Sequence, residues 1–260
     1  MNIENIADKI DYKVIKTKCM DSESITDFLK IQNNVFNENF TLEKFSLKYL
    51  ENPFGSSFIV LCYYKNECIA SRAFWRNDLY IDNEYVESYQ PCDTAVMESY
   101  RGKSLFSKMT KIVMKKLDAK AKIYSFPNDY SLRAYNKMNW RLIASKRYLL
   151  FNQKNHSKQI NLIEDIYFEW ISKLVNSKKN KKLYYTKKKN EFYLLKKHTY
   201  NLYVVIGKIS SIENINIPKA ILPICLTLDS EGNFGRGLRV VSYNVLDDNN
   251  IPLYKLDTIF

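Results

Sequence analysis

Histidine is almost missing from this chain. His156 and His198 are the only two in 260 residues, and both lie in polar segments. Histidine-based triads and multi-histidine metal sites therefore have almost no material to draw on. Cysteine is little better placed: Cys19, Cys62, Cys68, Cys92 and Cys225 are an odd number, widely scattered, with no C-x-x-C pair. That argues against a disulfide framework and a zinc knuckle and for reduced, mostly buried thiols. No apolar run approaches the roughly 18–20 residues of a membrane span, and Met1 to Tyr12 carries acids and amides where a secretory signal would place an apolar core. The expectation is a cytoplasmic protein without a metal, whose acid and base chemistry uses carboxylates, tyrosine or the substrate itself.

What remains is ample for a folded protein. Hydrophobic residues make up 46% of the chain and charged ones 26%, so it is neither a disordered nor a fibrous composition. At about 150 residues per domain the length fits one larger and one smaller domain. Basic residues outnumber acidic ones by 40 to 28, a formal charge of +12, which favours anionic partners without choosing among polyphosphate cofactor, nucleic acid and membrane surface. Eight arginines against 32 lysines, with many Asn, Ile and Tyr, is also the codon bias of an AT-rich genome.

Periodicity sets the organisation. Ser22 to Asn34 carries apolar residues at helical spacing after a Ser/Asp-rich start, and a second helix runs from about Leu42 to Leu50, stopped by Pro53-Phe54-Gly55. Ser57 to Tyr64 and Cys68 to Trp75 read as an antiparallel hairpin, and a third strand, about Tyr85 to Met97, follows the turn residues Asp82-Asn83. From Leu105 to Leu117 apolar residues recur three and four apart, a helix of about four turns with lysines on its other face. Ile123 to Phe126 is a strand, Tyr130 to Met138 a helix and Arg141 to Phe151 a strand. Helices interleaved with strands predict an α/β protein with a mixed sheet and helices on its faces. Asn152 to Gln159 reads as a linker, which divides the chain into domains 1–155 and 156–260. The second is strand-rich, with one helix over Leu162 to Val175 and its clearest strands at Tyr184 to Thr186, Glu191 to Lys196, Tyr200 to Lys208 and Leu238 to Val245.

The informative stretch is Gln90 to Trp140. The strand Asp93-Thr94-Ala95-Val96 runs into a polar turn, Met97 to Gly102, that opens onto the helix beginning near Lys103. First-turn N–H groups lack partners, and a helix start carries about half a positive charge, so this is a place for an anion such as pyrophosphate. Arg101 and Lys103 add charge there, and Gly102 permits close approach to the backbone. Downstream, Asn128 stands at a strand end, with Ser131 and Tyr135 one turn apart on one helix face. The carboxylates at this strand end and turn are Asp93 and Glu98, with Glu87 farther up the strand. Asp93 is costly inside an apolar strand without a partner, and it can instead brace the turn through Thr94 or Arg101.

Together these segments resemble the GNAT superfamily of acetyl-coenzyme-A-dependent acetyltransferases. Val96 followed by Arg101-Gly102-Lys103-Ser104-Leu105-Phe106 is similar to the family pattern Arg/Gln-x-x-Gly-x-Gly/Ala, and Asn128, Ser131, Tyr135, Asn139 and Trp140 to Asn-x-x-Ser/Ala-x-x-x-Tyr-x-x-x-Gly-Phe. The likeness covers about Tyr12 to Phe151 and is nearest to members found with bacterial surface-polysaccharide genes. It departs at Ser104, where the pattern has its principal glycine, at Phe106, where a small residue is usual, and at Asn139, where the pattern has glycine. The resemblance implies that backbone groups of Thr94, Ala95 and Val96 hold the pantetheine arm, with the Val96 N–H on the thioester carbonyl. It implies that Arg101, Gly102, Lys103, Ser104, Leu105 and Phe106 grip the pyrophosphate, that Asn128 and Ser131 bond the cofactor, and that the Tyr135 hydroxyl protonates the departing thiolate. The reaction implied is N-acetylation of a small amine-bearing acceptor, favoured as an amino sugar or nucleotide-linked amino sugar, with acetyl-CoA as cosubstrate; the amine must lose a proton to attack, for which Asp93 and Glu98, with Glu87 farther up the strand, are the candidate bases. Residues 160–260 are similar to the degenerate second half of tandem GNAT proteins, which can help form the acceptor cleft.

Two rival readings remain. Lys178-Lys179, Lys181-Lys182 and Lys187-Lys188-Lys189 with Tyr184 and Tyr185 could track a nucleic-acid strand, although a solvated hairpin explains them as well. The fold could also be a catalytically silent interaction module. Gly232-Asn233-Phe234-Gly235-Arg236-Gly237 does not lie between a clear strand and helix and reads as a turn or flexible loop.

Overall fold

A computed structural model describes residues 9–81, 84–156, 160–176, 183–212, 217–229 and 231–244. The chain divides into two compact units. One runs up to Ser125 and includes Asp129–Trp140; the other comprises Phe126–Asn128 and the chain from Arg141 onward.

The first unit contains strands β1 (Asp11–Lys16), β2 (Phe58–Tyr64), β3 (Glu67–Arg76), β4 (Leu79–Ile81), β5 (Glu84–Val86), β6 (Ser88–Val96) and β7 (Lys122–Ser125). Its helices are α1 (Ser22–Phe36), α2 (Leu42–Phe45), α3 (Leu105–Met114) and α4 (Asp129–Lys137). The sheet order is β1-β2-β3-β6-β7, antiparallel as far as β6, with β6 and β7 parallel; β4 and β5 form a small separate hairpin. Mixed strands with interleaved helices are the α/β class the periodicity predicts. Alternation along β3 sorts the helices onto opposite faces. Gln32 of α1 bonds Ser71 Oγ at 2.9 Å, whereas the neighbouring Arg72 lies against Phe106 of α3.

Local chemistry accounts for the helix ends. Asp21 caps α1 by accepting the Ser24 N–H at 2.7 Å, and the left-handed Asn37 closes it. α3 buries Leu105, Met109 and Val113 on one stripe, each worth roughly 1.5–3 kcal/mol on leaving water. Three expectations change. β1 is an edge strand the pattern did not reveal, its alternation being weak and half-exposed. The run from Tyr85 is two strands broken at Glu87, and α3 is ten residues long rather than about four turns. The expected turn at Asp82-Asn83 lies outside the described residues.

The second unit holds β8 (Arg141–Leu150), α5 (Gln153–His156), α6 (Asp165–Asn176), β9 (Leu183–Lys188), β10 (Glu191–Thr199), β11 (Leu202–Ile209), β12 (Ile224–Asp229) and β13 (Phe234–Tyr243), with strand order β13-β8-β12-β11-β10-β9. The sequence places β8 in the first domain; its ladders run to β12 and β13, which groups it with the second unit. The expected linker includes the helical turn α5, and α6 starts at Asp165 because Leu162 bridges Lys208 in an extended conformation. The glycine-rich segment is not a loop throughout: β13 begins at Phe234 and shifts register against β8 before Leu238. Gly232 lies so close to the Arg147 carbonyl that a Cβ would stand 2.2 Å from its oxygen, a reason for glycine that involves no ligand.

Candidate active site

The site begins with a β-bulge. Ser71 faces Ala95 and Ala73 faces Cys92, so Asp93 and Thr94 together oppose Arg72 alone. Asp93 takes the extra turn with a φ of 43°, a left-handed conformation that Asp tolerates better than most residues.

The second feature is a split between β6 and β7. They pair only at Ser88 with Lys122 and Tyr89 with Ile123. Asn77 N–H bonds the Ser88 carbonyl at 2.9 Å, which fixes the alternation along β6 and turns the nitrogen of Pro91 toward the β7 side. Proline has no N–H to give there, so the ladder stops. Beyond the bulge the Met97 N–H bonds the Ile69 carbonyl at 3.0 Å, which puts Ala95 in the hydrogen-bonded register with Ser71 and turns the Val96 N–H and C=O out of that ladder. The Val96 carbonyl accepts from Arg101 Nε at 3.3 Å.

The loop into α3 is the third. Gly102 has φ 77° and Ser104 φ 60°, so the chain is left-handed at the position where the family pattern has glycine. Ser104 tolerates it at a cost of about 1–2 kcal/mol, and its side chain caps nothing. The first hydrogen bond of α3 runs from Lys108 N–H to the Ser104 carbonyl at 3.0 Å, leaving the N–H groups of Leu105, Phe106 and Ser107 without an acceptor in the helix. They border a cleft of about 560 Å³ lined by Val96, Tyr100 to Gly102, Ser104 to Ser107 and, from α4, Tyr130, Arg133, Ala134 and Lys137. Unpaired N–H groups, a helix start and three cations fit a diphosphate.

Two polar clusters flank β6, one on each face. On the α1 face, the Asp93 carboxylate accepts from Lys48 Nζ at 2.8 Å and from the Tyr49 hydroxyl, while Gln32 Nε2 donates to the Asp93 carbonyl at 2.6 Å. Tyr49 is wholly buried, and burial followed by the Asp93 charge pushes its phenol well above the ordinary 10. On the α3 face, the Tyr135 hydroxyl accepts from Arg72 Nη2 at 2.7 Å and donates to Ser125 Oγ at 3.1 Å. Arg72 Nη1 donates to Thr94 Oγ1 at 2.9 Å, and its guanidinium lies 3.8 Å from the Phe106 ring centroid. The Tyr135 ring sits edge-on to Phe106 and 4.3 Å from that of Trp140. After α4, Asn139 takes the left-handed turn at φ 61°, and Trp140 N–H bonds the Tyr135 carbonyl at 3.1 Å.

Of the residues the sequence singles out, Val96, Arg101, Gly102, Ser104, Leu105 and Phe106 meet at the cleft, and Lys103 lies within its loop but not on its wall. Thr94 and Ala95 are on the adjoining strand, Ser131 is half-buried in the first turn of α4, and Asn128 is exposed just before it. Tyr135 is 2% exposed and lies beneath the cleft wall rather than on it. Asp93 braces the bulge through Lys48 and Tyr49. Glu98 is exposed in a short 3-10 turn. Glu87 pairs with Arg76 at 3.1 Å at the opposite end of β6. Sequence reasoning missed Gln32, Lys48, Tyr49 and Arg72, which belong to no motif; a lone arginine inside the apolar run Cys68 to Trp75 was the one available signal.

Residues 16–143 match the family model described as Acetyltransferase (GNAT) domain. This stretch is similar to GNAT acetyltransferase domains. Among solved structures, a GCN5-related N-acetyltransferase from Anabaena variabilis ATCC 29413 aligns with a TM-score of 0.57 at 10% identity, covering 89% of this chain and 72% of that one. Another from Kribbella flavida aligns with a TM-score of 0.54 at 9% identity, covering 89% and 71%. At such identities the likeness concerns the GNAT fold, and it extends beyond the matched domain. No curated protein sequence matches the chain. Among the described residues no helix is long and apolar enough to cross a membrane, and no group of three or more His, Cys, Asp or Glu could hold a metal ion.

In the second unit, Tyr184 packs against a buried cluster that includes Tyr203, and Tyr185 lies against Phe192. Lys187 and Lys188 sit over the rings of Phe192 and Phe151. Lys178, Lys179, Lys181 and Lys182 lie outside the described residues.

Proposed function

We propose that this protein is an N-acetyltransferase that moves an acetyl group from acetyl-CoA to an acceptor amine by direct attack. The observation that carries this reading is one strand edge, where the Val96 N–H leaves its ladder beside the unpaired N–H groups that open α3. Acetyl-CoA, when bound, supplies an activated acyl carbon and a thiolate leaving group. The N–H groups of Leu105, Phe106 and Ser107, with Arg101, bind its diphosphate, and Arg133 and Lys137 add charge at the same cleft. Lys103, Asn128 and Ser131 supply further cofactor contacts, and the strand edge Thr94 to Val96 holds the pantetheine arm. Val96 N–H donates to the acyl oxygen, where negative charge develops as the amine attacks. Tyr135 Oη gives its proton to the sulfur, and a carboxylate takes the proton the amine loses. Asp93 is assigned that second role because it lies three residues before Val96 and on the face of β6 opposite Tyr135, so acid and base do not compete for one side. Glu98, in the turn after β6, is the other candidate.

The proposed acceptor is an amino sugar, in particular one linked to a nucleotide, whose phosphates suit a chain with a formal charge of +12. The domains proposed are 1–155 for catalysis and 156–260 as an accessory, degenerate GNAT-like half, and the protein is proposed to work in the cytoplasm. The packing of Tyr184 and Tyr185 into unit 2 favours this over a nucleic-acid stacking surface.

Calorimetry with CoA and acetyl-CoA, followed by thioester turnover on a panel of amines, tests the reading. Submillimolar CoA affinity and turnover with an amino sugar are expected. Binding without turnover on any amine would leave a silent GNAT module, and no binding at millimolar CoA would remove the enzyme altogether. Tyr135→Phe should lower kcat about a hundredfold, within the usual range for a general acid, with KM for acetyl-CoA nearly unchanged.

A further inference from the structure

Arg72 is the most deeply buried cation among the described residues, 1% exposed, and none of the ion pairs found among them includes it. Its Nε is buried without a hydrogen-bond partner, and both terminal nitrogens are spent on neutral hydroxyls, Thr94 Oγ1 and Tyr135 Oη. A buried guanidinium normally demands a carboxylate, so its placement here calls for another explanation.

We propose that Arg72 is a positioning residue for the transfer step, fixing the direction of the Tyr135 phenolic proton. The inference rests on the acetyltransferase reading above. Guanidinium has five donors and no acceptor, so a hydroxyl in contact with it can only accept. Tyr135 has one proton, and with Arg72 Nη2 at 2.7 Å that proton is turned away from the guanidinium, toward Ser125 Oγ at 3.1 Å or toward a ligand sulfur. As the C–N bond forms and the C–S bond breaks, the electron pair of the C–S bond stays on sulfur and the Tyr135 O–H proton passes to it. The phenolate oxygen left behind faces the Arg72 cation and recovers a proton from solvent through Ser125. The proton lost by the amine goes to the base and then to solvent, so the sum balances. Phe106 completes the arrangement: its ring lies 3.8 Å from the guanidinium and edge-on to Tyr135, holding the fork in one plane.

The test combines a measurement on the ligand-free protein with a kinetic cycle. In nitrogen-15 spectra of the free wild type, Arg72 should show slowly rotating, separately resolved Nη protons, beside those of Arg76, which Asp78, Tyr89 and Glu87 hold. Tyr135→Phe should release that rotation, and Arg72→Gln should remove the signals. Calorimetry should give CoA affinities within about threefold of wild type for both variants. Arg72→Gln should lower kcat at least tenfold with KM for acetyl-CoA nearly unchanged, and adding it to Tyr135→Phe should cost less than a further threefold, because it acts through that hydroxyl. If the two losses multiply, or if kcat survives Arg72→Gln while CoA still binds, the positioning role is wrong and the acetyltransferase reading stands. If no hindered Nη signal of the free wild type is released by Tyr135→Phe, the role is overturned even should Arg72→Gln fail to fold. Failure of the wild type to bind CoA overturns the underlying reading and this inference with it.

Discussion

Replacing Asp93 by Asn should uncouple the bulge from the helices beneath it. The pair it forms with Lys48 is short, 2.8 Å, and largely enclosed, the two side chains being 23% and 8% exposed. At an effective dielectric of about 20 the Coulomb attraction at this separation is about 6 kcal/mol before desolvation. Deleting one partner of a buried pair typically costs about 3–5 kcal/mol, chiefly because the other charge is stranded. Here Lys48 Nζ also lies 5.4 Å from the Tyr49 ring centroid and 5.5 Å from that of Trp75, which softens the loss by about 1 kcal/mol. The expected cost of Asp93→Asn is therefore about 2–4 kcal/mol, a fall of roughly 6–16 °C in the melting of this unit. Trp75 donates its indole N–H to the Lys48 carbonyl at 3.1 Å, so its fluorescence reports the transition in urea directly. Lys48→Met should cost less, because the carboxylate left behind can reach water, and the double variant should recover about 2 kcal/mol relative to the sum. A variant Asp93→Asn within about 0.5 kcal/mol of wild type, or strict additivity in the cycle, would refute the brace. The same cycle separates brace from base. Lys48→Met retains the carboxylate and should keep turnover once folded, whereas Asp93→Asn should lose it if Asp93 accepts the amine proton.

Ser104→Gly removes a side chain from a left-handed position and should stabilise the first unit by up to about 1 kcal/mol in thermal melts, with CoA affinity retained; a fall in stability would mean the φ of 60° carries no strain. Arg101→Glu should weaken CoA binding at least tenfold by calorimetry and flatten its salt dependence, and unaltered affinity would discredit the loop assignment. In the second unit, the Lys208 ammonium, the Tyr193 hydroxyl and Gln153 hold the Glu191 carboxyl down from the ordinary 4.5 to about 2. Its contribution is present above pH 4.5 and lost as pH falls through about 2, so Glu191→Gln should flatten the acid limb of urea stability between those values. An identical pH slope in the variant would exclude Glu191 as a source of acid sensitivity.

The sequence was readable where a pattern is local. The loop from Arg101 to Phe106 needs only a turn, a helix start and one strand end, all within about ten residues, and every residue of it except Lys103 lines the cleft. Asn139 as a left-handed cap is equally local. The two clusters beneath the cleft were not readable, because each joins elements far apart in the chain: Lys48 and Tyr49 reach Asp93 across more than 40 positions, and Arg72 reaches Tyr135 across 63. Periodicity says that such residues are inside, but not which polar groups they meet. Strand β1 escaped for another reason, since an edge strand with half-exposed residues has neither a clean alternation nor an apolar run. Phe106 shows how the local and distant signals are linked. Against the motif alone it is a misfit at a position that favours a small residue. Against the structure it is the flat surface on which a buried guanidinium rests, so the departure and the unpaired Arg72 explain each other.

The geometry of the site follows from two irregularities in a single strand. Pro91 withholds an N–H from the β7 side and ends the ladder there, which opens β6 to a ligand without any loop being inserted. Two residues later the bulge adds one residue to β6, and side-chain alternation shifts by one beyond it. Asp93 consequently meets Lys48 and Tyr49 on the α1 face, while the next residue, Thr94, meets Arg72 on the α3 face. In an unbroken ladder the residues flanking a hydrogen-bonded pair repeat at a fixed phase, so the outward N–H of Val96 depends on that extra residue upstream. The acid, the base and the oxyanion donor of the proposed reaction are thus separated by the phase of one strand rather than by the placement of three loops. Substitutions that preserve side-chain chemistry but alter the phase of β6 would therefore harm the site more than the loss of any one contact within it.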